Sequence, residues 1–208
     1  MTPFAAFQSV WSRCDELRSI HAYLSSQLTA ALTPDELLRA EWVSRVSAMD
    51  LYFHELIAQR MMEIFRGNRI QAVGFQKLVI SGEALMRIRT ATNAAAAESA
   101  FDLETRSQLG RMTFQHPDKI ADGMRLISDI EFWNELAMLG GATPSTKNVA
   151  AKALRQQLSA IVDRRNKIAH EGDLQPSIPR LPYTVTVADL GTVTLFINTI
   201  VLNVEFLG

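Results

Sequence analysis

Hydrophobic residues recur every three or four positions over most of the chain, and this spacing predicts α-helices. The first pattern runs from Thr2-Pro3 to about Ser26. The second begins at TPDE (33–36), where Thr33 is a candidate cap in a capping box, and continues to about Phe65. Gly67-Asn68 supplies the stop. These two long helices are expected to form an antiparallel hairpin that supports the rest of the fold.

Shorter helices are predicted for the middle of the chain. One is expected within 75–89, after which the alanine-rich stretch TATNAAAAESA (90–100) breaks the pattern. FDLETRSQLGRM (101–112) then predicts another short helix. Two more segments begin at His116-Pro117 and Glu131, and Gly140-Gly141 ends the second.

A long helix is predicted from Thr146 to His170. Its apolar side consists of Val149, Leu154, Leu158, Ile161, Val162 and Ile168. Three prolines exclude helix from 174–183, and Thr186 with Asp189 indicates the cap of a last helix. Alternating strand patterns are absent from the sequence. We therefore expect one all-α domain over 1–208, a bundle of long antiparallel helices with shorter helices in its middle.

Overall charge gives no case for a nucleic-acid or membrane partner, because the formal net charge is −1 and the sequence pI is about 6.4. The charge is unevenly distributed, however. Residues 147–180 carry seven Lys or Arg against three Asp or Glu, so this stretch is locally basic.

Compartment and membrane signals are weak. A single cysteine, Cys14, excludes an intrachain disulfide and a cysteine-based zinc cluster. The N-terminal residues lack the basic and apolar regions of a signal peptide. The run LGTVTLFINTIVLNVEFLG (190–208) comes nearest to a membrane span, but threonines and asparagines interrupt it. We expect a cytoplasmic protein without a membrane partner.

Three histidines have an ordinary structural interpretation. His54 is followed at the fourth position by Ala58, so the second ligand of a zinc-protease helix is missing and a partly buried helix-face histidine is expected. His21 has no companion at ligand spacing, and His116 precedes a helix start in a probable turn. The segment GGATPS lacks the lysine of a phosphate-binding loop. The sequence thus predicts neither a metal site nor a cofactor.

The segment DRRNKIAHEGD (163–173) is the strongest candidate for chemistry. Asn166 and His170 are four apart on one face of the predicted helix, and Arg165 lies about 100° round from Asn166. His170 would sit in the last turn before Gly172, where the helix dipole favours a protonated imidazole. Arg165 has the planar fork that binds phosphate. An arginine and a histidine could cleave RNA without a metal, the histidine moving protons and the arginine stabilising the phosphorane.

A purely structural interpretation stays open at this point. Cationic residues and a histidine are common at helix C-termini, where they complement the dipole. Lys167 also follows Asp163 at i+4, the spacing of an ordinary surface ion pair.

Beyond the spacing, the element Arg165-Asn166-x3-His170 resembles the signature of the HEPN superfamily of ribonucleases and nucleotide-binding domains. The ordered segments 48–65, 113–127, 165–176 and 183–201 are similar to its RiboL-PSP-type branch. The resemblance covers about three quarters of the chain, counting the connecting segments. It implies that Arg165 binds the scissile phosphate, that His170 is the acid or base, and that Asn166 orients His170 or contacts phosphate. Arg164 and Lys167 would contact the RNA backbone.

The resemblance also implies partners. Active HEPN enzymes pair around a two-fold axis and build one composite cleft from two protomers, and many are toxins or defence effectors that cleave RNA. A homodimer with an RNA substrate and a possible antitoxin or other regulatory partner is therefore expected. Many HEPN toxins carry a tyrosine two residues after the histidine, as the acceptor of a modification, but here that residue is Gly172. Two alternatives remain: a non-catalytic HEPN module that binds a nucleotide or a protein, and a structural helical domain without a ligand.

Overall fold

Within residues 1–27 and 34–207, which the computed structural model describes, the chain forms eight α-helices and no β-strand. The helices are α1 (Pro3–Gln27), α2 (Asp35–Phe65), α3 (Gly82–Arg89), α4 (Ala94–Leu109), α5 (Pro117–Arg125), α6 (Phe132–Leu139), α7 (Lys147–Glu171) and α8 (Val187–Phe206). A 3-10 turn over Phe75–Lys77 precedes α3. The all-α prediction is confirmed.

Helices α1 and α2 form the expected antiparallel hairpin. The ring of Phe7, near the start of α1, lies 6.0 Å from the ring of Tyr52 in the second half of α2. At the other end of the pair, His21 Nε2 lies 3.8 Å from Asp35 Oδ1. The proposed cap Thr33 lies outside the described residues, and α2 begins directly after Pro34 without a side-chain cap.

Helix α2 is the centre of the bundle. Of its 31 residues 16 are buried, and α1, α4, α5, α7 and α8 all pack against it. Its buried face contains three charged residues as well as the expected apolar stripe. Arg45 donates to Glu41 over 2.8 Å, and its guanidinium lies 4.1 Å from the centre of the Trp11 ring. A buried charge is tolerated only when it is paired in this way.

The alanine-rich stretch was wrongly expected to break the helical pattern. It forms the first turns of α4, which begins at Ala94 and joins this stretch to the predicted short helix. The side chain of Asn93 caps α4 by accepting a hydrogen bond of 2.9 Å from the N–H of Ala96. Alanine is the strongest helix former, so one good cap is sufficient to start the helix here.

Helices α7 and α8 have the predicted bounds to within a residue or two. Leu158, Ile161 and Val162 of α7 are buried as expected, but Val149 is 75% exposed. Val149 precedes Leu158 by nine residues, which places it on roughly the opposite side of a helix of 3.6 residues per turn. The predicted cap of α8 is a complete capping box between Thr186 and Asp189.

Helix α8 is long and apolar enough to cross a membrane by length and composition, with a mean hydropathy of 1.6. The expectation that threonines and asparagines interrupt this run too often for a membrane span was therefore too strict. Core helices of soluble proteins have the same property, and one side of α8 is buried against α2 and α6.

Close packing between α5 and α2 depends on Gly123. A Cβ atom at this position would lie 2.5 Å from the side chains of both Ile57 and Phe114. We expect Gly123→Ala to lower the free energy of unfolding by about 1–3 kcal/mol, because two fully buried side chains must move. Urea denaturation measures this change. Gly82→Ala is the control, since a Cβ at Gly82 meets no atom within 4 Å, and an equal loss in both variants would contradict the packing argument.

Candidate functional site

The candidate site lies where α7 ends. Gly172 and Asp173 both adopt left-handed backbone conformations, with φ of 66° and 57°. The carbonyl of Lys167 accepts from the backbone N–H groups of both residues. Glycine adopts this conformation at little cost, and aspartate is one of the few other residues that tolerate it. The helix therefore ends at Glu171, one residue beyond the predicted end, and His170 lies in its last turn as predicted.

Arg165 and Asn166 are in direct contact. Arg165 donates from Nη1 to the side-chain oxygen of Asn166 over 3.0 Å, and both residues are half-buried. The Nε atom of Arg165 is buried and has no hydrogen-bond partner among the described residues. Asn166 thus orients Arg165. The sequence had instead predicted that Asn166 would orient His170 or contact the phosphate.

His170 stands apart from this pair. Its imidazole is exposed and forms no hydrogen bond or ion pair with any residue of 1–27 or 34–207. It follows Arg165 by five residues, so the two side chains leave the helix about 140° apart. One protomer therefore brings Arg165 and Asn166 together and leaves the imidazole of His170 open to solvent.

Asp173 connects this end of α7 to the core. Its carboxylate is fully buried, and one of its oxygens, Oδ2, accepts from Arg164 Nη2 over 2.7 Å and from Arg39 Nε over 3.1 Å. We refer to Arg39, Asp173 and Arg164 as the carboxylate clamp. The other oxygen, Oδ1, is buried without a hydrogen-bond partner in the described part of the chain.

The loop after α7 is held by the same group of residues. Tyr183 donates its backbone N–H to the carbonyl of Asp173 over 2.8 Å, and its own carbonyl accepts from Arg39 over 2.7 Å. The guanidinium of Arg164 lies 4.9 Å from the centre of the Tyr183 ring. Such cation–π contacts add to the ion pairs, so the loop over 174–183 is fixed against α7 at both of its ends.

Two cations of the motif thus have partners within the protomer. Arg164, a predicted RNA contact, is engaged by Asp173 and by the carbonyl of Thr184. Lys167, the other predicted RNA contact, is exposed and lies 5.6 Å from the centre of the Tyr183 ring. Among the described residues it does not form the expected ion pair with Asp163. RNA binding by either residue stays a prediction.

The clamp was missed by sequence reasoning because its members are distant in the sequence. Asp173 and Arg39 are 134 positions apart, and no local spacing connects them. The one available signal was an arginine within the apolar stripe of α2. A buried arginine requires a buried partner, but the sequence does not indicate which acid provides it.

A groove runs beside α7 on the face that also carries His170. It has a volume of about 770 Å³ and lies between α7 and the start of α5. Both basic and acidic side chains line it: His116, Asp118, Lys119, Lys152, Arg155 and Asp163. His116 is the N-cap residue of α5, in line with its predicted position before a helix start. Three Lys or Arg side chains and two Asp side chains line the groove, so it has no strong net charge.

Other titratable groups have structural partners. His54 lies 3.6 Å from the carboxylate of Asp50, and its ring lies 4.6 Å from the ring of Phe114, which confirms the expected half-buried helix-face histidine. Burial raises the pKa of the Cys14 thiol to about 11, so this group is neutral at pH 7 and a poor nucleophile.

Comparison with known proteins adds no relative: the chain matches no protein-family model, no curated protein sequence and no solved structure.

Removing the charge of the clamp should destabilise the protein. We expect Asp173→Asn to lower the free energy of unfolding by about 3 kcal/mol, because two largely buried guanidinium groups lose their shared carboxylate. Asparagine also tolerates a positive φ, so the substitution tests the charge and not the backbone. Urea denaturation is the measurement. Asp118→Asn is the control, because its ion pair with Arg155 is exposed and contributes little; a similar loss in both variants would contradict the role of the clamp.

Proposed function

We propose that this protein is a HEPN-type, metal-independent endoribonuclease that acts as a homodimer, in the manner of a toxin or defence effector. The observation that carries the proposal is the arrangement at the end of α7. A half-buried guanidinium is oriented by Asn166, and an unengaged imidazole lies one turn further along the helix. These are the two kinds of group that phosphodiester cleavage requires in the absence of a metal.

The proposed reaction is an attack of the ribose 2′-oxygen on the adjacent phosphorus. The new P–O2′ bond forms as the P–O5′ bond breaks, which gives a 2′,3′-cyclic phosphate and a 5′-hydroxyl. His170 takes the proton from the 2′-hydroxyl while water protonates the leaving 5′-oxygen, or water takes the first proton and His170 gives the second. Arg165 stabilises the charge on the phosphorane. Its contact with Asn166 restricts its rotamers before binding, so less side-chain entropy is lost when it binds the phosphate.

A second copy is part of this proposal for a geometric reason. Arg165 and His170 leave α7 about 140° apart, and no contact joins them within the described protomer. A guanidinium from one copy and an imidazole from another can approach the same phosphate if two α7 ends meet around a two-fold axis. Four aliphatic side chains in the loop after α7 and at the start of α8 are exposed and would line such a contact: Leu174, Ile178, Leu181 and Val187.

A non-catalytic binding module is the alternative. It is favoured by the net charge of −1 and by the engagement of Arg164 in the clamp, since both weaken the general attraction for RNA. In that case the groove beside α7 would bind a nucleotide or a partner protein, and His170 would have no role in a reaction.

RNA cleavage in EDTA distinguishes these functions. We expect the parent protein to cut RNA and His170→Ala and Arg165→Ala each to reduce the rate at least a hundredfold, since each removes a group that acts only in the transition state. Arg87→Ala is the control, because its guanidinium forms an exposed i,i+4 pair on the distant α3. If the parent cuts no RNA, or if both site variants match the parent, the ribonuclease proposal fails.

Mixing the two inactive variants tests the composite site. A mixed dimer of Arg165→Ala and His170→Ala chains retains one complete site, formed by the arginine of one chain and the histidine of the other. Random exchange makes half of the dimers mixed, so roughly a quarter of the parent activity should return. Incubation of each variant with itself is the control. If the mixture stays inactive after subunit exchange has been verified, both groups act from one protomer. That result would contradict the composite arrangement.

A further inference from the structure

The central line of the outward face of α8 carries no charged residue, and the exposed carboxylates of Asp189 and Glu205 lie about 100° to either side of it. Its exposed residues recur at intervals of four and three positions: Ala188, Thr192, Leu195, Thr199, Leu202 and Phe206, with Gly191 beside them. Leu195 is 69% and Phe206 is 79% exposed. Surface helices normally present charged or polar residues to solvent, and an exposed apolar stripe of this spacing is typical of helix pairing.

The polar groups of this face and its borders are already satisfied within the chain. The hydroxyls of Thr192 and Thr199 donate to the carbonyls one turn earlier, over 3.2 Å and 2.8 Å. Asp189 is engaged in the capping box, and Glu205 accepts a hydrogen bond from Tyr52. The face can therefore be buried without the loss of a hydrogen bond.

Packing within one protomer does not explain why residue 191 is a glycine. It lies inside α8, where glycine is less favourable than alanine. A Cβ at this position would meet no atom within 4 Å, whereas at Gly123 the same space is filled by side chains of the chain itself. A glycine of this kind suits the close approach of another molecule.

We propose that α8 pairs with the same face of α8 in a second copy of the chain, in antiparallel orientation. A two-fold axis at the level of residue 197 sets each large residue against a small one. Phe206 then meets the partner's Ala188, Leu202 meets the partner's Thr192 beside the partner's Gly191, and Leu195 meets the partner's Thr199. Such a two-fold contact needs no complementary charge.

A membrane surface fits this face less well than a second copy. Helices that lie on membranes carry lysine and arginine along their polar borders, and α8 contains neither residue. The three large side chains and the small residues between them offer on the order of 400 Å² on each copy. Two copies would bury roughly 800 Å², the size of weak and reversible interfaces.

This pairing is separate from the composite site. The start of α8 lies about ten residues from the proposed axis, or ~15 Å, so the two α7 ends of such a pair are on the order of 30 Å apart. A chain that uses both contacts would form a larger assembly in which the α8 contact joins two nuclease dimers. Loss of the α8 contact should then change the mass but leave RNA cleavage intact.

Charged substitutions at facing positions test the pairing and its register. Sedimentation at ~10–100 µM should show that Thr192→Lys and Leu202→Glu each halve the mass of the parent assembly. Mixing these two variants should restore the parent mass, because the introduced cation faces the introduced anion across an otherwise unchanged contact. Leu103→Glu, a substitution of another exposed helical leucine on α4, should keep the parent mass.

Three results would overturn the proposal: a parent that is monomeric over this range, single variants that keep the parent mass, or a mixture that does not regain it. RNA cleavage by the same variants separates this proposal from the ribonuclease. His170→Ala should keep the parent mass and lose cleavage, whereas Leu202→Glu should lose mass and keep cleavage.

Discussion

Burial of α2 is the constraint on which the other helices depend. A helix with more than half of its residues buried must be covered on nearly every side, and α1, α4, α5, α7 and α8 supply that cover. The buried charged residues of α2 also require charged partners, and some of these come from the surrounding segments. Arg45 is paired with Glu41 and with Asp15 of α1. Arg39 is paired with the exposed Glu36 of α2 and with a buried acid from elsewhere in the chain. That acid is Asp173, directly after α7.

The carboxylate clamp therefore connects the core to the candidate site. Asp173 lies three residues beyond His170 and is held from one side by α2 and from the other by Arg164 of α7. Because its carboxylate is fully buried, these ion pairs are little screened by salt. The last turn of α7 and the loop that follows it thus keep a fixed position relative to α2. The backbone of His170 is therefore held in a defined position, although its side chain makes no contact of its own.

Local features of the fold could be predicted from the sequence, and long-range ones could not. The helix spacing, the Thr186–Asp189 capping box and the stop at Gly172 are encoded by residues close together in the chain, and the structure agrees with each of them. The alanine-rich stretch was wrongly expected to break the helical pattern, because alanine has the highest helix propensity. Val149 was wrongly placed on the buried side of α7, because its helical phase turns it away from the core. The contact of Arg165 with Asn166, the clamp and the open space at Gly191 depend on side-chain directions and distant partners, which no spacing rule provides.

The different directions of Arg165 and His170 would make the proposed activity depend on the pairing of two copies. If another copy supplies one of these two groups, as proposed, the rate should depend on the square of the protomer concentration when pairing is weak. A folded protomer would then be inactive by itself, and its abundance would act as the switch. A partner that covers the aliphatic residues around the end of α7 would block activity without touching His170 or Arg165.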